Sequence, residues 1–406
     1  MPEITKMKQA EWAAGEGQPN AIEREASNKP NYLKELERDA KADGKLIIYA
    51  SLRGVLQNSV KAFRKQYEHL NLHVEYISSH PVPIERRIER EAELFKDLPN
   101  EGDDRHIEPG TADVVIMPQF MLIQMANKKL LRSCIPEIKK THLKLWPAVI
   151  KDEDATWAAM AVEPTGVVYN DALFKNIYGS LEKLPTTFDE YIDPAWGEIN
   201  GKIGIAGQKI QSSHAIQSLV RFPEGKMGFF YLISLKERLG ESKWTELMKG
   251  MAKNVPPSTY ECLLHMTHNL GLGQHLFGLP ATLRKQGMGD DYSYMREGGL
   301  KPLVLTDVPP SAIARCAGLT AAGKNKAAAE LFLNFIFSDV WQNELGRTLD
   351  GMVPARPGTV TEYWVSQALD KGFIHYPKPE HVAKEAEYIE EFESLGLGST
   401  LPKGIG

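Results

Sequence analysis

Apolar residues recur along this chain with two periods, that of a strand and that of a helix. A polar, turn-rich stretch runs to about Asn28 and reads as loosely ordered. Residues 32–42 then have the charge pattern of a short helix leading into the fold. Lys45-Leu-Ile-Ile-Tyr-Ala50 is an apolar run suited to a buried strand, and residues 72–77 alternate as a second strand. Between them, Val55, Val60, Ala62 and Phe63 mark the inner face of a helix. Residues 81–96 place Ile84, Ile88, Ala92 and Phe95 on one helical face, with Glu and Arg at i,i+4 spacing on the solvated one. Residues 100–110 read as a loop, 112–117 as a third buried strand and 119–129 as a helix ended by Leu130-Leu131. This β-α-β-α-β-α order predicts a mainly parallel sheet with right-handed crossovers.

The pattern changes after Trp157. Residues 158–162 and 166–169 are extended, with Glu163-Pro164-Thr165 between them. A strand is expected at 202–206, then Gln208 to Ser213 and a helix over 214–222. Helices follow over 228–239 and from Lys243, interrupted by Pro256-Pro257, and a further helix is expected over 258–270. Residues 300–307 and 312–319 read as strands. Residues 326–337 form an amphipathic helix on Ala328, Leu331, Phe332, Phe335 and Ile336. Beyond Val365 the chain is polar and Pro-containing, with one acidic helix near 385–392. No internal repeat or low-complexity tract appears. The extended stretches at 157–169 and 303–319 are candidate crossings between two α/β lobes, which makes lobe one discontinuous.

Composition adds exclusions. The 406 residues allow two to three domains or lobes, and 42% hydrophobic with 25% charged residues excludes a largely disordered or collagen-like chain. A formal net charge of −5 is no polyanion-binding signature, so nucleic acid is not expected as a partner. The three cysteines, Cys134, Cys262 and Cys316, are dispersed, which excludes a disulfide framework and a four-cysteine zinc site and leaves one bridge open. The N-terminal stretch has no apolar run of roughly 7–15 residues, and no run reaches the roughly 18 that would suggest a membrane span. The expectation is a soluble protein, cytoplasmic or supplied without its leader.

Catalytic motifs are missing. There is no phosphate loop of the G-x-x-x-x-G-K-[ST] type, no G-x-S-x-G and no H-E-x-x-H; Leu276 stands where a third glycine would complete Gly271-x-Gly273. His265 and His268 share a helical face, and with His275 they form the most metal-like cluster, but no carboxylate lies near and a polar helix face explains them equally. Asp290-Asp-Tyr-Ser-Tyr294 offers hard oxygen ligands, or is a solvated loop. No metal and no cofactor is implied.

Ser51-Leu-Arg-Gly54 lies between the first strand and a helix. Backbone N–H groups at that helix start, with the Ser51 hydroxyl and the Arg53 fork, suit an anion; Ser51 as a plain cap and Arg53 in solvent is the alternative. Gln211-Ser212-Ser213 precedes the next expected helix in the same way. Gln119 follows the third strand, and Thr165 sits at the first crossing. Tyr260 is placed to stack on a ligand or to fill a core. Asp307, ending the returning strand, is placed to orient Arg53 or a ligand amine. Two such caps facing one cleft would grip a small anionic or polar solute.

Several stretches together resemble extracellular solute-binding proteins of family 1, the ABC-transporter receptors that include the ferric-iron-binding proteins. Lys45-Leu-Ile-Ile-Tyr-Ala-Ser51 resembles the family's first strand. Ala112-Asp-Val-Val-Ile-Met117 resembles its "A-D-V" strand, and Asn127-Lys-Lys-Leu-Leu131 the element after it. Gly166-Val-Val-Tyr-Asn170 and Leu184-Pro-Thr-Thr-Phe-Asp-Glu-Tyr-Ile-Asp-Pro-Ala-Trp196 are similar to "V-x-Y-N" and "P-x-T-W-x-D-L-x-D-P-x-W". Residues 327–338, with Gln342 and Val353-Pro-Ala-Arg356, resemble the closing block. The match covers about residues 44 to 358.

The resemblance implies an α/β, type II periplasmic-binding-protein fold, with two lobes joined by hinge strands around a ligand cleft. The implied organisation is a lead-in over 1–43, lobe one over 44–160 and 308–406 with a C-terminal extension, and lobe two over 161–307. It further implies a monomeric, non-enzymatic receptor outside the cytoplasm that hands a small-molecule solute to an ABC permease. The family's ferric binders use adjacent tyrosines, and residues 275–283, which stand in the corresponding place, contain none; Tyr292 and Tyr294 lie later. The two caps and Arg53 make an organic carboxylate, phosphonate or phosphorylated compound the expected solute. The alternatives are an enzyme or sensor on the same fold inside the cell, and a ferric-iron or other metal binder.

Overall fold

The structure is a computed structural model. It describes residues 29–51, 53–95, 111–146, 148–217, 226–260, 263–282, 299–303, 305–307, 311–348, 353–356, 359 and 379–395. Its first half runs α1 (Asn31–Asp43), β1 (Lys45–Ala50), α2 (Arg53–Gln66), β2 (His73–Ser78), α3 (Pro81–Phe95), β3 (Val114–Pro118), α4 (Gln119–Asn127), β4 (Leu131–Arg132) and α5 (Pro136–Thr141). The middle holds β5 (Trp157–Asn170), α6 (Asp171–Tyr178), α7 (Phe188–Tyr191), β6 (His214–Gln217), α8 (Lys226–Leu239), α9 (Glu241–Asn254), β7 (Ser258–Tyr260), α10 (Leu263–Gly271), β8 (Phe277–Thr282) and β9 (Leu300–Leu303). The chain returns through β10 (Ser311–Thr320), α11 (Lys326–Ile336), α12 (Asp339–Thr348), β11 (Val353–Pro354), α13 (Pro379–Ala383) and α14 (Glu385–Ser394).

The strands form one sheet in the order β2-β1-β3-β10-β5-β8-β6-β7. In one half, β1 lies parallel to both β2 and β3, as the crossover order predicts. In the other, β6 lies parallel to β7 and β8. The halves meet at the antiparallel pair β5 and β10, which runs from Trp157 opposite Gly318 to Thr165 opposite Ser311. Beyond Thr165, β5 pairs with β8 and β9. The first stretch read as a crossing, and residues 311–319 of the second, are therefore strands at the junction of the two halves.

One continuous buried core runs through both halves, with an aromatic cluster in each. Around α11, Phe63, Tyr67, Phe332 and Phe335 make an aromatic cluster, with Phe63 and Phe332 centroids 5.2 Å apart in an edge arrangement. In the other half, Phe277 of β8 is ringed by Phe174, Tyr191, Trp196 and His214 at 5.0–6.3 Å. Among the described residues no helix is long and apolar enough to cross a membrane.

Three sequence expectations differ. Residues 214–217 are a strand, not the start of a helix, because Ala215 and Ile216 are buried between β7 and β8 where ladder pairing satisfies the backbone; residues 218–222 lie outside the described residues. The helix expected over 258–270 divides into β7 and α10. The strand expected at 202–206 is a single 3-10 turn at Ile205–Gly207 with one bridge, Ile203 to Lys209. Cys134 and Cys316 are buried free thiols, burial pushing the Cys134 thiol up to about 12, and Cys262 lies outside the described residues.

Asp113 ties the first half together. Its carboxylate accepts from the Ile47 N–H at 2.8 Å and from the Asn325 N–H and Nδ2 at 3.0 and 2.9 Å, linking β1 to the turn before α11. Asp113→Ala strands three donors at a site 1% exposed, and is expected to lower stability by at least about 2 kcal/mol in urea unfolding. A loss within about 0.5 kcal/mol would show that water replaces the carboxylate at no cost.

Candidate functional site

Strand direction locates the site. β3 runs antiparallel to β10, from Val114 opposite Leu319 to Pro118 opposite Arg315, so the carboxyl ends of β3 and its parallel neighbour β1 point toward the junction. β8 runs antiparallel to β5, from Phe277 opposite Tyr169 to Thr282 opposite Thr165, so β6, β7 and β8 point toward the junction from the other side. Two sets of parallel strands thus direct their carboxyl ends at each other across β5 and β10. Crevices outside such ends are where open α/β sheets take ligands.

Three of the predicted residues lie at these strand ends or in the junction strands themselves. Ser51 follows β1 and donates its N–H to the Ile116 carbonyl at 2.9 Å, which holds it beside β3. Gln119, 1% exposed, opens α4 directly after β3. Thr165, 2% exposed, lies between Ser311 and Thr282 in the ladder. The Ser51 Oγ and Thr165 Oγ1 atoms are both buried and without a hydrogen-bond partner. A buried hydroxyl left unmatched costs about 1–3 kcal/mol, so each is a demand that a bound polar group would meet. α2, fourteen residues long, starts two positions after Ser51 and brings unpaired N–H groups and a partial positive charge. Arg53 is its first residue, but the side chain lies outside the described residues.

Sequence reading missed the charged pair beside them. Arg315 donates through Nε and Nη2 to Glu163 Oε2 at 2.6 and 2.5 Å, with the two residues 6% and 2% exposed. Glu163 and Thr165 share one face of β5, and Arg315 stands on the same face of β10, because residues two apart and residues directly opposite point the same way. A polar stripe, Arg315-Glu163-Thr165, therefore runs along the junction. The signal was present: Arg315 is the lone charge in an apolar strand, and Glu163 lies in the Glu163-Pro164-Thr165 stretch between two extended segments that the structure joins into one strand.

The remaining predicted residues lie elsewhere. Gln211, Ser212 and Ser213 sit at the amino end of β6, the end away from the junction, so the second helix cap is not formed. Gln211 Nε2 donates to Gln274 Oε1 at 2.8 Å. The Ser212 hydroxyl donates to the His214 carbonyl at 2.5 Å, and Ser258 Oγ lies 2.8 Å from it. His275 donates from Nδ1 to the Ser212 carbonyl at 3.0 Å, and its Nε2 accepts from the Tyr260 hydroxyl at 2.5 Å. Tyr260 ends β7, but its hydroxyl is turned back to this cluster. His214 donates from Nε2 to the Tyr191 carbonyl at 2.9 Å and accepts at Nδ1 from Ser213 Oγ at 2.9 Å. Asp307 accepts the Phe188 N–H with both oxygens, at 2.9 and 3.1 Å, and so caps α7 rather than facing Arg53.

Among the described residues no three His, Cys, Asp or Glu side chains are grouped to hold a metal ion. His265 and His268 are exposed on α10, and residues 290–294 lie outside the described residues. A surface cavity of about 510 Å³ contains none of the junction residues. Two of its lysines are engaged, Lys139 with the Glu153 carbonyl and Lys151 with the Leu143 carbonyl at 2.6 Å.

No family model matches the chain, and no curated protein matches it in sequence. Solved structures do match. The substrate binding protein of an ABC transporter from Agrobacterium tumefaciens aligns at a TM-score of 0.62 and 18% identity, over 87% of this chain and 94% of its own. Iron-bound HitA from Pseudomonas aeruginosa aligns at 0.59 and 16%, over 87% and 99%. The periplasmic binding protein AfuA from Actinobacillus pleuropneumoniae, with fructose-6-phosphate bound, aligns at 0.59 and 17%, over 86% and 98%.

The chain has the periplasmic-binding-protein fold. The likeness agrees with the resemblance read from the sequence. In this fold the two sheet halves meet at β5 and β10, with the carboxyl ends of their parallel strands facing that pair.

The two buried histidines give this fold a pH dependence. Burial depresses the His275 pKa to about 4 and that of His214 to about 3, so both are neutral when folded. In the unfolded chain each titrates near 6.5, so below that value the unfolded state binds more protons. Stability is then full above about pH 6.5 and falls as pH drops toward 4, by up to about 1.4 kcal/mol per unit for each histidine. In urea unfolding between pH 6.5 and 5, His275→Gln is expected to show a distinctly shallower loss than the wild type. Equal slopes would mean that His275 is protonated in the folded protein.

Proposed function

We propose that this protein is the non-enzymatic solute receptor of an ABC import system, closing its two lobes over a small anionic or polar organic solute such as a carboxylate, phosphonate or phosphorylated compound. The carrying observation is the pair of buried, unpartnered hydroxyls, Ser51 Oγ and Thr165 Oγ1, where facing strand ends meet. Ser51, Gln119 and Thr165 contact the solute, and Arg53 adds a charge at the start of α2. Lobe one comprises 44–160 and 308–406, and lobe two 161–307. The receptor works as a monomer outside the cytoplasm and passes its solute to a permease.

Several considerations favour an organic anion. A helix start beside an unmatched hydroxyl suits a group with several acceptor oxygens. One structural neighbour holds fructose-6-phosphate. Other neighbours are ferric-binding proteins, including one from Campylobacter jejuni, but the stretch 275–283 lacks adjacent tyrosines, its residues Phe277–Thr282 form β8, and His275 is committed to Tyr260. Burial also pushes the Tyr260 hydroxyl up to about 12, which disfavours a phenolate there.

Thermal-shift screening followed by calorimetry, against carboxylates, phosphonates, sugar phosphates and ferric citrate, tests the reading. At least one organic anion is expected to raise Tm by several degrees. Thr165→Val is expected to weaken that binding about 5- to 30-fold, the equivalent of about 1–2 kcal/mol, while leaving the solute-free protein as stable or more so. Stabilisation by ferric iron alone would overturn the solute class. Unchanged affinity in Thr165→Val would overturn the placement of the site.

A further inference from the structure

The C-terminal helices touch elements of both lobes. α14 is held on the helices that follow β6. Lys236 of α8 lies 2.5 and 2.7 Å from the two Glu391 carboxylate oxygens and 2.9 Å from Glu241, and its ammonium stands over the rings of Trp244 and Tyr388 at 5.2 and 5.5 Å. Phe392, fully buried, packs on Trp244 of α9 with centroids 5.2 Å apart. This is a charge network around a buried ring, which is worth more than isolated surface pairs. Toward the other lobe, α13 packs against α4, the helix that begins at Gln119, and Gln124 Nε2 donates to Glu385 at 3.3 Å. His381, 4% exposed, stands between these contacts and lies 2.9 Å from Glu237 of α8. One short segment thus contacts α4, whose first residue borders the crevice, and α8, which packs on β8 and β10.

We propose that residues 379–395 are a clasp joining the two lobes outside the strand junction, and that the clasp sets the balance between their open and closed arrangements. A two-lobed protein joined only through β5 and β10 is free to rotate about them, whereas a second tether limits that rotation. The contacts are unequal. Toward lobe two there is a charge network and a buried aromatic ring; toward lobe one there is helix packing and a long hydrogen bond from Gln124 to Glu385. Opening therefore parts α13 from α4 and Gln124 from Glu385, and leaves α14 seated. The inference rests on the two-lobed fold and these contacts, not on the identity of the solute.

Small-angle X-ray scattering and amide exchange on the full chain, without added solute, test it. Glu391→Lys places like charges together and is expected to enlarge the radius of gyration and to speed exchange along β5 and β10 about 5-fold. The triple variant Glu391→Lys, Lys236→Glu, Glu241→Lys restores opposite charges at both contacts and is expected to return both toward wild-type values. Gln124→Glu, which sets a second carboxylate against Glu385 at the start of α14, is expected to open the lobes in the same way while leaving the contact between Lys236 and Glu391 in place. Faster exchange confined to α13 and α14, with unchanged scattering in every variant, would overturn the proposal.

Discussion

The rest of the structure depends on the antiparallel pairing of β5 with β10. These two strands carry the junction between sheet halves whose parallel strands run at each other, and most of their residues are buried. A charged pair in such a place is costly to desolvate, so it persists only when each partner meets the other with good geometry. Arg315 does so through two nitrogens on one Glu163 oxygen. Removing either partner alone would leave a buried charge uncompensated, a loss of about 3–5 kcal/mol. The pair sits one strand position from Thr165, so the interaction that holds the junction in register also shapes the ground on which the candidate site stands.

Much of the architecture was legible. The apolar runs at β1, β3 and β10 have no period that a surface helix would tolerate, and the faces of α3 and α11 have no period that a strand would tolerate. The two crossings were visible as long extended stretches of small and apolar residues. The second lobe was harder. β6 and β7 are four and three residues long, too short to show a period, and their strand state comes from lying beside β8 rather than from their own propensities. For the same reason Ser212 and Ser213, which read as a helix cap, fall at the far end of a strand.

The site divides along the same line. Ser51 and Gln119 lie beside strand ends and Thr165 in the crossing strand, positions that follow from local segments. Glu163 and Arg315 are 152 residues apart in sequence and meet only through the β5–β10 register, which no local pattern encodes. Tyr260, His275 and Ser212 form a cluster for a related reason: three polar residues from separate segments satisfy one another inside the second lobe. Their mutual bonding removes them from the crevice that residue type alone had suggested.

Junction, crevice and clasp describe one machine. On the proposed reading, the junction lets the two halves move, the orphan hydroxyls of Ser51 and Thr165 give a polar solute a reason to be enclosed, and the C-terminal helices restrain the movement. The most direct test is a crystal structure of the protein bound to its best-stabilising solute. The solute should lie between the two lobes, with oxygen or nitrogen atoms within hydrogen-bond distance of both Ser51 Oγ and Thr165 Oγ1. A solute bound elsewhere, with both hydroxyls still unmatched, would contradict the account.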